Sequence, residues 1–463
     1  MENSLTGRLS SNKYPPGPAG RGLLGTAQEF QKAPLDYLTS IHRDYGDSLR
    51  YRFFLNWFGY SFVHPEANKH ILQDNNNNYT KQPHPSMQIL KPVIGDGLLS
   101  SDGEFWRKQR RLAQPAFHRT QIAGFARTFV DSTVARLEQW AAQSKTGDRM
   151  AMDEELMALT LEIAGKTLFS IDLTGKAAQV GHAFDRANRI ITDLSSAPFA
   201  LFSLRLPFWP STRQLSQSTR QLEDVVYGII NERRRRGEQK ADLLGMLMEA
   251  RDEETGAGMS DRQLRDEVLT LMVAGHETTS VLLSWLFFFL DRNPEVRERL
   301  EAEVDDVLDG RTPTFEDFPR LVYTRQVIDE TLRLRPAAYI LTRWAQQADT
   351  VCGYTVPAQS ALVLCPYITH HLPEFWPQPE RFDPDRFAPR ADANRPRYAY
   401  LPFGGGPRQC IGNSFALTEA TLLTATIAQR FRVRVDPAHP GEMDPQITLR
   451  MKDGLPARLE ERR

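Results

Sequence analysis

Cysteine is scarce: three residues in 463, at positions 352, 365 and 410. Three cannot complete a disulfide framework and no pair is spaced C-x-x-C, which argues against a secreted disulfide scaffold and against a zinc site. Charge of one sign is missing too. Lys plus Arg number 57 against 58 for Asp plus Glu, so no global field points to nucleic acid, and any charge-guided partner must use a local patch. Long apolar runs are absent: the longest, VLLSWLFFFL at 281–290, falls well short of the ~20 residues a membrane-spanning helix needs. The first twenty residues, MENSLTGRLSSNKYPPGPAG, lack the basic start and apolar centre of a secretory signal and read as an irregular lead-in. The expectation is a cytoplasmic protein without a transmembrane segment. No repeat of solenoid period is visible, and the tracts Asn75–Asn78 and Arg233–Arg236 are short, the latter reading as a solvated helix face.

What is present is a strand-rich segment at 48–64, helical periodicity from about 104 to 335, and short strands and turns from about 336 to 408. A last helix runs from Gly412 to about Arg430, and a hairpin is expected around LRMKDGLPARL. The reading is mainly α with a smaller β-rich part and no linker between them. One helix stands out. Ser260 and Gln263 form a capping box, and the pattern runs to Asn293-Pro294; about 30 residues at ~1.5 Å each span roughly 45 Å, enough to cross the molecule.

Cys352 and Cys365 sit in strand-like apolar surroundings and read as small buried side chains. Cys410 differs, because it lies in FGGGPRQCIG (403–412), just before the last helix. Free N–H groups at a helix start favour a thiolate, the form that ligates metals. The glycines at 404–406 would let the backbone lie against a flat ligand, and Gly412 would let the helix start pack as closely. The loop is therefore suited to present one thiolate to a planar metal cofactor.

Three further patterns stand along the chain. In AGHETT, Ala274 to Thr279, Gly275 leaves space beside the long helix, and a mid-helix Thr278 hydroxyl can bond back to the Ala274 carbonyl and open the ladder. His276 reads as a maker of a structural hydrogen bond. Glu330 and Arg333, three apart, share one helix face. Trp106 and Arg110 place an indole N–H and a guanidinium one turn apart, where both reach a carboxylate.

Together, F-x-x-G-x-R-x-C-x-G (Phe403, Gly406, Arg408, Cys410, Gly412), AGHETT, ExxR, W-x-x-x-R and PERFDPDRF (379–387) resemble the cytochrome P-450 family of haem-thiolate monooxygenases, in the family's order and over nearly the whole chain. The resemblance implies a triangular-prism fold in one domain over 1–463, with residues 1–20 as lead-in and no fused reductase. It implies a b-type haem held by Cys410 as axial thiolate, the metal's one protein ligand. Trp106, Arg110, Arg343 and Arg408, with His84 as a further choice, would contact its propionates; Phe403, Gly404, Ala274, Gly275 and Gly412 would lie against it. Glu277 and Thr278 would be the catalytic acid–alcohol pair. Glu330 and Arg333 would be completed by Arg386, with Arg381 as rival, to hold the sulfur-bearing loop. Met87, Leu90, Leu99, Val273, Ala337, Ala338, Tyr339, Ile340 and Ile447 would line an apolar substrate pocket, and the stretch 195–210 would cover its entrance.

The implied reaction uses O2 to hydroxylate or epoxidise a lipophilic fatty acid, terpenoid or steroid. Electrons would come from NAD(P)H through a ferredoxin or flavodoxin and its reductase, docking on Arg107, Lys108 and Arg111 of a monomeric enzyme. The alternatives are a peroxide-driven haem enzyme, a haem sensor or carrier, and a haem-free structural protein.

Overall fold

The computed structural model describes residues 13–22, 25–54, 57–145, 147–170, 186, 189–191, 210–237, 242–252, 254–391 and 393–462. Of the stretch expected over the entrance, 195–209 lies outside these, and Pro210 begins the helix Pro210–Arg236. The architecture is mainly helical with a smaller sheet part.

The long helix runs Asp261–Arg292. Its start carries the capping box: Ser260 Oγ accepts from Gln263 N, and Gln263 Oε1 accepts from Ser260 N. This helix is long and apolar enough to cross a membrane, yet 83% of its most apolar window is buried by the rest of the chain, which makes it the core's axle. Around it pack the helices Met152–Phe169, Val322–Leu334 and Asn413–Arg430. Trp285, Leu286, Val327 and Leu423 are fully buried in that shared cluster.

The β-rich part is a five-stranded sheet in the spatial order Ser48–Phe54, Trp57–Phe62, Ser360–Leu364, Leu341–Ala345, Tyr79–Thr80. Neighbouring strands are antiparallel except Trp57–Phe62 beside Ser360–Leu364, where Gly59 faces Ala361 in parallel register. In the antiparallel pairing of the third and fourth strands, the buried Arg343 stands opposite Leu362.

Three expectations are corrected. The segment around LRMKDGLPARL is no hairpin: Leu449–Met451 pairs with Met443–Pro445, whereas Pro456–Glu461 pairs with Phe431–Val435 and Met150–Ala151. Positive φ at Asp453 (62°) and Gly454 (71°) turns the chain there, and the apolar face of the following strand finds its burial in another sheet. Cys352 is exposed, at φ 47° in the tight turn between Asp349–Val351 and Tyr354–Val356, while Cys365 is buried as expected and its Sγ donates to the Tyr339 carbonyl. Arg233 does not face solvent with the other arginines of its run: it is buried, bonded to both Asp242 oxygens and to the Phe169 carbonyl. The charge run conceals one inward position, because consecutive residues of a helix point in different directions.

Candidate active site

Cys410 closes a loop in which its N–H donates to the Phe403 carbonyl (2.9 Å) and Gln409 N donates to Gly406 O (3.1 Å). The helix Asn413–Arg430 starts immediately after, with Gly412 as its N-cap. Cys410 is accessible, although the chain surrounds it. Burial pushes the thiol's pKa up, opposed by the Gly412 N–H and by the positive charges of Arg110 and Lys81. A cleft of about 200 Å³ reaches the cysteine between Arg110, Phe117, His118 and Asn413.

The three glycines before it serve different ends. A Cβ on Gly406 (φ 65°) would stand 1.8 Å from the Leu72 carbonyl oxygen, and one on Gly405 would stand 2.4 Å from the Tyr398 ring. Those two are required by the protein's own packing rather than by a flat ligand. Only Gly404 keeps an open face, its nearest atom being Leu341 Cδ1 at 3.8 Å.

On the long helix, Ala274 is exposed between the buried Val273 and the half-buried Gly275, and a Cβ on Gly275 would meet nothing within 4 Å. Thr278 Oγ1 donates to the Ala274 carbonyl at 2.7 Å, the back-bond that opens a helix ladder. His276 Nδ1 lies 2.6 Å from the Met272 carbonyl. Glu277 does not face Thr278: its Oε1 accepts from Thr448 Oγ1 (2.7 Å) and Arg450 Nε (2.8 Å). Thr279 Oγ1 donates to Glu419 Oε2 at 3.0 Å, a carboxyl whose pKa burial raises to about 8.

At one edge of the site stand Lys81, Arg343, Arg408 and Arg110, three of them in reach of one carboxylate, Asp102. Arg408 pairs with Asp102, donates to the Ser101 carbonyl, and lies 4.1 Å over the Trp106 ring. Lys81 Nζ donates to the Leu99 carbonyl, and burial and then Arg343 and Arg408 hold its pKa well below the usual lysine range. Burial, and then Arg408, lower Arg343 to about 10. Basic groups therefore outnumber the one carboxylate at this edge, and buried charge needs a partner. The edge suits further anionic groups. His84 is buried with its Nδ1 at the start of helix Pro85–Ile94, against Ser86, and burial lowers its pKa to about 3.

Behind the loop, Arg333 grips Glu330 through Nε (2.7 Å) and Nη2 (2.9 Å), both side chains having no exposure. Arg386 Nε lies 3.5 Å from the same carboxylate, whereas Arg381 is exposed and supplies its backbone carbonyl to Arg333.

Residues 15–454 match the family model described as Cytochrome P450. The chain belongs to the cytochrome P450 family. It is 36% identical over 434 residues to cyclooctatin synthase of Streptomyces melanosporofaciens, covering 93% of this chain and 92% of that one. Pentalenene oxygenase of Streptomyces avermitilis is 34% identical, covering 91% of both chains. The crystal structure of the cytochrome P450DA heme domain superposes with a TM-score of 0.88 at 26% identity, over 97% of this chain and 98% of that one. This P450 is accordingly a monooxygenase, and the family's cofactor is haem.

The residues present fit that cofactor. Among the described residues no three of His, Cys, Asp or Glu gather to hold a metal ion, so the thiolate of Cys410 suits a metal whose other ligands come from a macrocycle. The open face at Gly275 suits a flat group, and the excess of basic groups around Asp102 suits propionates. Lys81 and Asp102 belong to this edge and were not singled out in sequence; nothing local distinguishes them, since their partners lie 18 to more than 300 positions away.

The expected pocket residues separate. Met87, Leu90, Leu99, Val273 and Ile447 share one hydrophobic cluster. Ala337 instead sits in the central core, and Tyr339 in the N-terminal cluster with its hydroxyl on the Gln446 carbonyl. The extended segment alternates: 337 and 339 are buried and 338 and 340 half-buried, though Ile340 also packs on the N-terminal cluster. Of the docking charges, Arg107 pairs with Glu104, and Arg111 with Asp252 and Glu254; Lys108 bonds the neutral Thr255 hydroxyl.

Proposed function

We propose that this P450 hydroxylates or epoxidises a terpenoid, using O2 and electrons that originate in NAD(P)H and arrive through a ferredoxin or flavodoxin. A haem held by the Cys410 thiolate would supply the reductive splitting of dioxygen, with one atom entering substrate and the other leaving as water. The chain's residues set the conditions. Arg343, Arg408, Lys81, Trp106 and Arg110 hold the propionate edge, and the Glu330–Arg333–Arg386 cluster stiffens the loop that carries the sulfur. Thr278 and Glu277 handle protons at the groove beside Gly275. Met87, Leu90, Leu99, Val273 and Ile447 exclude water and orient an apolar skeleton.

The observation that carries the reading is the Cys410 thiol beside Lys81 and Arg110 of a cation-rich edge, in a chain whose long helix keeps an open face at Gly275. Terpenoid chemistry is supported by the relatives, whose names include cyclooctat-9-en-7-ol 5-monooxygenase from Streptomyces melanosporofaciens, 36% identical over 421 residues. The cytoplasm is the compartment that offers NAD(P)H-fed donors. Lys108, with the exposed Phe105 beside it, marks the side on which such a donor would dock, next to the cleft that reaches Cys410.

The test is spectroscopic. Reduced protein under CO should give the absorbance band after which the family is named, and Cys410→Ser should lose it. A panel of farnesol, geranylgeraniol and lauric acid should then produce Soret shifts, the isoprenoids at lower concentration. NADPH with a surrogate reductase should drive oxygen insertion; product formed from peroxide alone and none from NADPH would overturn the electron-transfer part.

A further inference from the structure

Three hydrogen bonds end on one carboxylate oxygen that the site described above does not use. Asp349 Oδ2 accepts from His70 Nε2 (2.8 Å), Asn75 Nδ2 (2.9 Å) and Tyr79 Oη (2.6 Å), while Oδ1 accepts from the Thr350 N–H (2.7 Å). A carboxylate only accepts, so His70 carries a proton on Nε2. Burial would raise the pKa of Asp349, yet Tyr79, His70 and Asn75 together hold it below its ordinary value. The acceptor is therefore charged, which makes each of these bonds stronger than a neutral one. His70 and Asn75 bound the segment His70–Asp74, which is wound as a π-helix, and Asn75 N donates to the His70 carbonyl at 2.9 Å. Such wide turns are rare and occur mostly singly, often at functional sites. Here one oxygen ties the side chains at both ends of the turn, so the clamp holds the wide winding closed.

The same turn seats the cysteine loop. Gly406 is packed so closely that a Cβ on it would meet the Leu72 carbonyl oxygen at 1.8 Å and Gln73 Cα at 3.2 Å. The Gln73 side chain adds a second contact: its Oε1 accepts from Tyr398 Oη at 2.8 Å, and the Gly406 N–H lies against that hydroxyl. Tyr398 also backs Gly405, whose Cβ would stand 2.4 Å from its ring. From Gly406 the chain reaches the sulfur in four residues, with Gln409 N on the Gly406 carbonyl and Cys410 N on the Phe403 carbonyl. Asp349 thus connects to Cys410 through the clamped turn, Leu72 with Gln73, and Gly406, each step a direct contact. This support is separate from the Glu330–Arg333–Arg386 cluster, with which it shares no residue.

We propose that Asp349 is a positioning residue for the Cys410 thiolate, acting through the π-turn His70–Asp74. With the turn clamped, Leu72 and Gln73 hold Gly406 where the loop presents its sulfur. With the clamp cut, the turn is free to rewind toward the narrower α-helix, and Gly406 loses its seat. The thiolate's hold on a metal depends on the groups that orient it, so the clamp sets how firmly the haem is kept. This rests on the reading of Cys410 as the haem ligand.

The full chain carries the test. Asp349→Ala should lose haem to a haem-scavenging globin about tenfold faster than the parent, shift the iron's reduction potential, and move part of the reduced CO complex out of the family's band. Tyr79→Phe leaves both ends of the turn tied and should stay near the parent. Gln73→Met cuts the contact between turn and loop and should act in the direction of Asp349→Ala. Because both changes break one route, the double variant should fall short of the sum of the two; a full sum means independent effects and overturns the proposal. Parental haem transfer, potential and CO band in Asp349→Ala overturn it as well. If Asp349→Ala loads no haem, Asn75→Ala unties one end only and carries the same prediction at smaller size. In the haem-free protein, Asn75→Ala should speed hydrogen exchange of the 404–410 amides more than that of the 330–333 amides; equal acceleration of both marks a general loss of stability and overturns the proposal. Absence of the CO band in the parent overturns the functional reading instead, whatever the exchange shows.

Discussion

Gly406 shows how much one residue can be asked to do. Its φ of 65° is costly for any side chain, and a Cβ would press into the Leu72 carbonyl at 1.8 Å. Gly406→Ala should lose more than about 2 kcal/mol of stability and retain less haem, measured by denaturant midpoint and haem-to-protein absorbance ratio; an unchanged midpoint would refute the packing account. Thr278 is the contrasting case, because its hydroxyl is proposed to carry chemistry and little stability. Thr278→Ala should keep its Soret shifts and divert a larger share of NADPH to peroxide; unaltered coupling would remove Thr278 from the proton path. Both residues stand in patterns legible from sequence, and so does the back-bond of Thr278 to Ala274. The partner of Glu277 was not legible, because Thr448 and Arg450 lie 171 and 173 positions away and no local spacing announces them.

Elements bring together charges that no single segment contains. The long helix and the last helix bury Glu267 and Glu419, and burial raises each carboxyl's pKa to about 8. With a folded pKa above the unfolded one, the stability each contributes is complete below the usual carboxylate range and is lost as pH rises toward 8. Glu419→Gln keeps an acceptor for Thr279 and cannot ionise. It should unfold like the parent near pH 4 and be more stable at pH 8, by roughly 2–4 kcal/mol; parallel pH curves for the two proteins would contradict this. The Glu330–Arg333 pair is the opposite arrangement, two buried charges that satisfy each other. Arg333→Leu strands Glu330 and should cost about 3–5 kcal/mol, with loss of the CO band as the cysteine loop loosens. Helix boundaries were readable from caps and periodicity, as at Ser260 and Asn293-Pro294. The strands were less so: KDG at 452–454 has the composition of a hairpin turn, and only competition between sheets sends the next strand to Phe431–Val435.

At the scale of the whole molecule, the cofactor edge makes a statement about stability without its ligand. Lys81, Arg343 and Arg408 converge on Asp102, so the haem-free protein carries repulsion that two propionates would relieve. Removing haem should lower Tm, and phosphate should raise the Tm of the haem-free form more than that of the loaded form; equal responses would count against the charge account. By itself the sequence determined the long helix, the ExxR face and the family, and it singled out Cys410 as the cysteine to propose as thiolate, because each rests on spacing within one segment, where geometry is set by helix pitch or turn. Only the tertiary structure decided that Asp102 and Lys81 share the cation edge, that Arg386 rather than Arg381 reaches Glu330, that Tyr339 turns into the core, and that Glu277 is held by a distant strand. Those outcomes depend on which buried charges and apolar faces meet across hundreds of residues, and that is fixed by packing, not by spacing.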